Sequence, residues 1–178
     1  MRKKGEIKLR KIKKINLPYF LKWWKDKELV SLTSGIYEKS DAVLAGYFFE
    51  MIKSGPDKHY LIILDNKKPI GNLSLTHINK KIFEGHIVIG EKRYRGKGFG
   101  REAIRLSLQI AFNKLGYRCA YLEVRPDNER AIKTYKALGF EERGLKKYPK
   151  NKFQPVVLKM SLDKKNYDLR LLGSSLEY

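Results

Sequence analysis

The sequence predicts an α/β (α+β) fold in which seven strand candidates and about four helices form a single domain. Three observations predict it. Tyr60 to Leu64, Pro69 to Ile78 and Ile82 to Ile89 are apolar-rich runs joined by tight polar turns, which reads most economically as an antiparallel meander. Glu102 to Leu115 and Asn128 to Gly139 carry apolar residues at helical spacing around a further strand, and each closes on a Leu-Gly-aromatic sequence. Between the meander and the first of these helices lies Gly90-Glu-Lys-Arg-Tyr-Arg-Gly-Lys-Gly-Phe-Gly100, where a strand ends, glycines turn the chain and a helix begins.

The elements follow in order. Glu6 to Ile12 alternates charged residues with Ile7, Leu9 and, less regularly, Ile12, which suits an opening strand. Asn16 stands as a helix cap with Pro18 in the first turn, and Leu17, Phe20, Leu21 and Trp24 follow at helical spacing. Trp23 and Trp24 either line an acceptor pocket or pack this helix on the sheet, the commoner role for such rings. Ser40-Asp41 opens a second helix through Ala42, Leu44, Ala45, Phe48, Phe49, Met51 and Ile52, ended by Gly55-Pro56. The meander turns at Asp65-Asn66-Lys67 and Asn79-Lys80-Lys81. In the long helix Ala103, Ile104, Ser107, Leu108, Ala111, Phe112 and Leu115 make one apolar face, and Gly116 stops it. Arg118 to Val124 reads as a mostly buried strand before Pro126, and Asp127 or Asn128 caps the next helix. Phe140 to Lys147, the turn Pro149-Lys150-Asn151-Lys152 and Phe153 to Leu162 form a closing hairpin. Residues 1–163 make the domain; 164–178 are a weakly patterned tail in which Leu169, Leu171 and Leu172 could dock.

The glycine turn carries the chemistry. The first amides of a helix lack intrahelical partners and carry the positive end of its dipole, while glycines let phosphate oxygens approach the backbone. Arg93, Arg95, Lys97 and Arg101 add positive charge around it, so a phosphorylated ligand is the first expectation and a ligand-free basic turn the alternative. A Walker A loop is excluded, because five residues separate Gly90 from Gly96 and Gly98 follows Lys97 where a hydroxyl should stand. A dinucleotide fingerprint starting at Gly96 and Gly98 meets Arg101 at its last glycine, so a Rossmann reading is weak. What fits is Arg/Gln-x-x-Gly-x-Gly, filled by Arg95, Gly98 and Gly100.

On that motif the chain resembles the GNAT acetyltransferase superfamily, whose motif A has this form and holds the pyrophosphate of acetyl-CoA. Phe83 to Lys92 leading into Tyr94 to Gly100 resembles the RimJ/RimL-like branch. Asn128-Glu129-Arg130-Ala131-Ile132, then Tyr135 and Leu138-Gly139-Phe140, is similar to the family's second cofactor motif, about thirty residues on. The resemblance implies a GNAT fold: a central mixed, mostly antiparallel seven-stranded twisted sheet with a splayed parallel strand pair in its middle. The pantetheine arm would insert between that pair, with amides around Val88, Ile89 and Gly90 meeting the arm and the thioester oxygen. The implied cofactor-binding residues are these with Arg93, Arg95, Gly96, Lys97, Gly98, Phe99, Gly100, Arg101, Asn128, Ala131 and Tyr135.

The implied reaction is acetyl transfer from acetyl-CoA to a primary amine by direct attack, positioning supplying much of the acceleration and no metal being needed. Tyr135 occupies the position of the family's proton donor to the leaving sulfur, with packing under the helix as its other role. Glu84 corresponds to a glutamate that often serves as base, and His86 lies two residues along, so both point to the same face of the strand. Either the two deprotonate the acceptor ammonium, or they are a strand glutamate beside a structural histidine. The acceptor is a protein N-terminal amine, as in ribosomal-protein acetylation, or a small amine such as an amino sugar or antibiotic.

Composition bounds the rest. His59, His77 and His86 have no metal-ligand spacing, and Cys119, the one cysteine, lies in an apolar run as a packed thiol. With no apolar run of eighteen and no apolar stretch behind Met1-Arg2-Lys3-Lys4, the chain reads as cytoplasmic and not membrane-bound, a monomer or homodimer. The formal net charge is +20, from 39 Lys and Arg against 19 Asp and Glu. Arg2, Lys3, Lys4, Lys8, Arg10, Lys11, Lys13 and Lys14 face only Glu6 near the start. That charge is either a solubilising surface or a means of proximity to RNA or the ribosome, and it opposes a free polyamine unless acids are concentrated locally. A non-catalytic, RNA-associated CoA-binding module is the competing class; it lacks support from any RNA-recognition motif.

Overall fold

The computed structural model describes residues 5–31, 39–53, 55–65, 68–151 and 154–174. The expectations placed on Arg2, Lys3, Lys4, Asn66, Lys67, Lys152 and Phe153, and on the side chains of Leu171 and Leu172, lie outside the described residues. The strands are β1 (Ile7–Lys11), β2 (Lys58–Leu64), β3 (Lys68–His77), β4 (Ile82–Val88), β5 (Cys119–Val124), β6 (Glu141–Lys147) and β7 (Val156–Asp163). The helices are α1 (Leu17–Trp24), α2 (Lys27–Ser31), α3 (Asp41–Met51), α4 (Phe99–Gln109), α5 (Glu129–Leu138) and α6 (Lys164–Ser174). One seven-stranded sheet runs in the order β1-β2-β3-β4-β5-β7-β6. It is mixed: β4 and β5 are parallel, while β1 with β2, β5 with β7 and β6 with β7 are antiparallel. The parallel ladder is Ile82↔Cys119, Phe83↔Ala120 and Glu84↔Tyr121. Its rungs stop there although β4 runs on to Val88 and β5 to Val124.

The chain divides into two compact units, Met1–Ser74 with Ile87–Leu106 and Leu75–His86 with Ser107–Tyr178. In the first, α1 supplies Phe20 and Trp23 to a core shared with Leu29, Phe48, Leu61 and Ile63. Phe20 meets Phe48 at 5.0 Å and Trp24 edge-on at 5.3 Å, so both tryptophans pack, Trp23 fully and Trp24 at the margin. Each such ring contributes on the order of 2 kcal/mol through removal from water. Ser40 caps α3 as expected, accepting from the Val43 amide. Asn16 does not cap α1 through its side chain: Oδ1 turns back to the Lys13 amide at 2.8 Å, closing a short 3-10 turn. Helix α2, too short for a periodic signal, is capped by Asp26, whose Oδ1 accepts from the Leu29 amide at 3.1 Å.

In the second unit Phe83 packs on Phe112 and Tyr117, and Phe112 on Tyr167. Tyr167 is buried, which makes the expected tail a helix anchored on this core. Helix α4 starts at Phe99 rather than Glu102 and ends in a π turn, Ile110–Lys114, in which the Leu115 amide donates to Ile110 O. The extra residue in that turn sets the helical phase back, so Leu115 is exposed instead of joining Ala103, Ile104, Ser107, Leu108, Ala111 and Phe112 in the interior. Strand β5 alternates between buried Ala120, Leu122, Val124 and half-exposed Cys119, Tyr121, Glu123, where a mostly buried strand was expected.

Gly90 marks a tight point in the first unit, because a Cβ there would lie 2.3 Å from the Trp23 ring. That indole is buried and hydrogen-bonded, so it has no room to move aside. Gly90→Ala is expected to lower stability by about 1–3 kcal/mol, the range for overpacking, read as a shift in the urea midpoint with unchanged slope.

Candidate active site

The glycine turn is built from the first unit's own charges. After β4 the chain passes Gly90 and a short 3-10 turn, Lys92–Tyr94, and Gly96 and Gly98 adopt left-handed φ of 74° and 78°. Only glycine takes such angles without strain, and alternating hands turn successive N–H groups into one concavity that suits an anion. Glu102 N donates to Gly98 O, the first rung of α4, so the amides before it stand at the positive end of the helix. Lys97 and Arg101 are exposed beside this turn, and Arg93 stacks over the Tyr94 ring at 4.7 Å. Gly100 has no steric need of its own: a Cβ there would meet Ile89 and Ile87 at 3.7 and 3.9 Å, ordinary contact. Donors of this kind can hold an anion such as a diphosphate.

Arg95, expected on the ligand, is instead nearly buried in the protein. Its Nε donates to Ile89 O at 3.0 Å, and Nη2 to Gly90 O at 2.9 Å and to Asp26 Oδ2 at 2.7 Å. Nη1 reaches Glu28 Oε1 at 3.4 Å. Burial, the largest single influence on Asp26, pulls its pKa up. The hydrogen bonds from Arg95 and from the Leu29 amide, with the guanidinium charge, outweigh it and hold the carboxyl below its ordinary range. Beside this clamp Glu91 is buried, and its Oε1 accepts from Lys22 Nζ at 2.7 Å and Trp23 Nε1 at 3.2 Å. Burial again pushes upward, and the two hydrogen bonds win, keeping Glu91 ionised.

The second unit holds Glu84, His86, Asn128, Ala131 and Tyr135. Asn128 Oδ1 accepts from the Ala131 amide at 3.2 Å and caps α5, the role read from sequence. Tyr135 packs edge-on against Phe140 at 5.7 Å, and burial pushes its hydroxyl up to about 12, so the phenol stays protonated. Glu84 Oε1 lies 3.7 Å from His86 Nε2, too long for a hydrogen bond, so the two communicate by charge alone. Burial raises the Glu84 pKa foremost; His86 and Lys146 oppose that and Glu123 adds to it. Cys119 is pushed up to about 11 by burial and by Asp163, which leaves an inert thiol.

Sequence reasoning missed two groups here. One is the set of acids around Arg95 and Gly90: Asp26, Glu28 and Glu91. The other is Glu123, which accepts from Tyr121 OH at 2.6 Å, Tyr148 OH at 2.9 Å and Lys146 Nζ at 3.0 Å. Tyr121 and Glu123 are two apart on one strand and so share a face, a signal available in the sequence. Tyr148 and Lys146 come from the closing hairpin, and only tertiary pairing brings them in. Among the described residues no group of His, Cys, Asp and Glu is placed to hold a metal ion, and no helix is long and apolar enough to cross a membrane.

The clamp makes a prediction whose sign is diagnostic. Neutralising two carboxylates beside an anion cradle should tighten CoA binding if charge alone matters. If Asp26 and Glu28 act by holding Arg95, the double variant Asp26→Asn, Glu28→Gln binds CoA about tenfold more weakly by calorimetry, a loss of about 1.4 kcal/mol. Asn at 26 still accepts the Leu29 amide, so the cap on α2 survives.

Comparison with known proteins bears on this arrangement. A spermidine N-acetyltransferase from Vibrio cholerae, solved in complex with CoA and spermine, has the same fold with a TM-score of 0.79 at 23% identity, over 90% of this chain and 97% of that one. The spermidine N(1)-acetyltransferase of Vibrio cholerae serotype O1 is 30% identical over 110 residues, 61% of this chain and 62% of that protein. The N-alpha-acetyltransferase RimI of Mycobacterium tuberculosis is 28% identical over 97 residues, 53% of this chain and 59% of that one. The chain thus spans less than two thirds of the length of either curated relative. Residues 11–140, which include the glycine turn, the Glu84 strand and the Asn128–Tyr135 helix, match the acetyltransferase (GNAT) family model, and the chain belongs to that family.

Proposed function

We propose that the protein is an acetyl-CoA-dependent N-acetyltransferase, residues 1–163 working as one domain, that moves the acetyl group to a primary amine by direct attack in a ternary complex. The observation that carries this reading is the exposed left-handed pair Gly96 and Gly98 ahead of α4, with Lys97 and Arg101 beside it. Acetyl-CoA supplies a thioester whose acyl carbon is open to an amine. The amides from Gly96 to Arg101 hold its diphosphate, and Arg93 adds charge nearby. Arg95 acts by fixing the turn. Its fork takes the carbonyls of Ile89 and Gly90, and because a trans peptide sets N–H opposite C=O, the Gly90 amide is aimed away from it, as a donor to the arm or the thioester oxygen would be. Val88, Ile89, Asn128 and Ala131 line the cofactor. Tyr135, protonated at any working pH, donates a hydrogen bond to the departing sulfur. Glu84 takes the ammonium proton, with His86 modulating it electrostatically.

We take the acceptor to be a protein N-terminal amine of the ribosomal-protein kind, in keeping with the RimJ/RimL-like motif residues and with similarity to RimI. The second reading, a small-molecule amine, is favoured by the 30% identity to a spermidine acetyltransferase. A cytoplasmic setting and proximity to RNA or the ribosome belong to the same proposal and rest on the net charge of +20. Thioester consumption measured with N-terminal peptides and with small amines separates these readings. A chain that binds CoA and consumes none with any acceptor would be a binding module instead.

Two further outcomes are expected. Gly100→Ala fits the protein and suits a helix by about 1 kcal/mol, so its melting temperature should not fall, while affinity for CoA drops about tenfold as the methyl meets the ligand. The Glu84 carboxylate fraction declines as pH falls through its raised pKa, so the acid limb of kcat/KM should lie above the ordinary carboxylate range. Glu84→Gln should remove that limb; an unchanged profile would take Glu84 out of catalysis.

A further inference from the structure

The Glu123 cluster has the chemistry of an ammonium receptor, and it is filled by the protein itself. Glu123 Oε1 accepts from Tyr121 OH at 2.6 Å and Oε2 from Tyr148 OH at 2.8 Å, so both oxygens are held in place by neutral donors. Lys146 Nζ then sits 3.0 Å from Oε1 and 4.6 Å from the centre of the Tyr148 ring. A carboxylate and an aromatic face around one alkylammonium are the two elements that recognise such a cation.

The members differ in how firmly they are fixed. Glu123 belongs to β5, whose six-rung ladder to β7 runs from Cys119 to Val124, and its side chain is 15% exposed. Lys146 belongs to β6, the last strand of the sheet, where every residue is exposed, and its side chain is 44% exposed. To reach Glu123 it extends across β7, since Glu123 pairs with Lys159 and Lys146 with Val157. Such a lysine keeps nearly half of its side chain in water, so its ammonium can return to solvent without being stranded. Leaving Glu123 without any cation is costly, so a replacement ammonium would be welcomed.

The position also matters. Tyr121 is the register partner of Glu84 at the last rung of the parallel ladder, and Glu84 feels the charges of both Glu123 and Lys146. An amine in the Lys146 position is therefore within electrostatic reach of the carboxyl to which the proposed reaction gives a proton.

We propose that Glu123, Tyr121 and Tyr148 form a site for a primary alkylammonium, that Lys146 occupies it as an internal stand-in, and that the acceptor amine displaces this lysine. The inference rests on the transferase reading for the word acceptor and not for the site. The stem of Lys146 shows that the site admits an unbranched methylene chain behind the ammonium; this suits the small-amine reading of the acceptor, and acetylation of n-butylamine in preference to an N-terminal peptide would decide for that reading.

n-Butylamine, which carries the same stem and head group, is the probe. In Lys146→Ala it should bind at least about tenfold more tightly by calorimetry than in the wild-type protein, and Glu123→Gln added to that variant should cancel the gain. With acetyl-CoA present, the KM for n-butylamine should fall by a similar factor in Lys146→Ala while the affinity for CoA stays as it was. Equal n-butylammonium affinity in the wild-type and Lys146→Ala proteins, or a gain that survives Glu123→Gln, overturns the site. If no variant acetylates any amine and n-butylammonium still binds Lys146→Ala by way of Glu123, the ammonium site stands and the transferase reading falls.

Discussion

A guanidinium withdrawn from water must find partners for its donors, and in this chain Arg95 finds them in two backbone carbonyls and two carboxylates. The demand is local and its effect is wide. With the oxygens of Ile89 and Gly90 committed to Arg95, the peptide planes at the end of β4 have one orientation. With Asp26 and Glu28 committed as well, the ends of α1 and α2 are tied to that same point. Glu91 repeats the device one residue on, through Lys22 and Trp23. The glycines that follow are free to be glycines because the turn holding them is already rigid; a cradle of backbone amides with no side-chain scaffold would lose its preorganisation to conformational entropy.

This arrangement changes how the net charge of +20 is read. Four acids, Asp26, Glu28 and Glu91 in the first unit and Glu123 in the second, are committed to internal partners. The cationic excess is therefore carried at the surface, where long side chains keep their charges in water. Among the described residues, Lys8, Arg10, Lys11, Lys13 and Lys14 along and after β1 are all exposed. Such a field favours the approach of an anion and opposes that of a free cation.

Much of this was legible before any coordinates. The strand, glycine turn and helix were readable because glycine spacing and helical periodicity are local signals, and Ser40 and Asn128 cap the helices their positions suggested. The motif resemblance added the parallel pair and its early end at Glu84↔Tyr121. What escaped was non-local or broke a period. The π turn shifts Leu115 out of a face it joins on a wheel of constant pitch. Asn16 had a closer amide to satisfy at Lys13 than those of the helix it precedes. The last helix hides its anchor in Tyr167, a residue whose burial depends on Phe112 more than fifty positions earlier. Arg95 shows the limit of motif reading most plainly: its place was found, but its partners at Asp26 and Glu28 lie about seventy residues away.

Gly71 offers a last consequence. A side-chain carbon at that position would sit 2.1 Å from Val88 O and 3.0 Å from Ile89 Cα, backbone atoms with no freedom to retreat. Glycine here is not a matter of dihedral preference; it is the absence of an atom that lets β3 lie against the carbonyls leading into the turn. Any larger residue at position 71 would have to push those carbonyls away from β3, and the turn they lead into would shift with them.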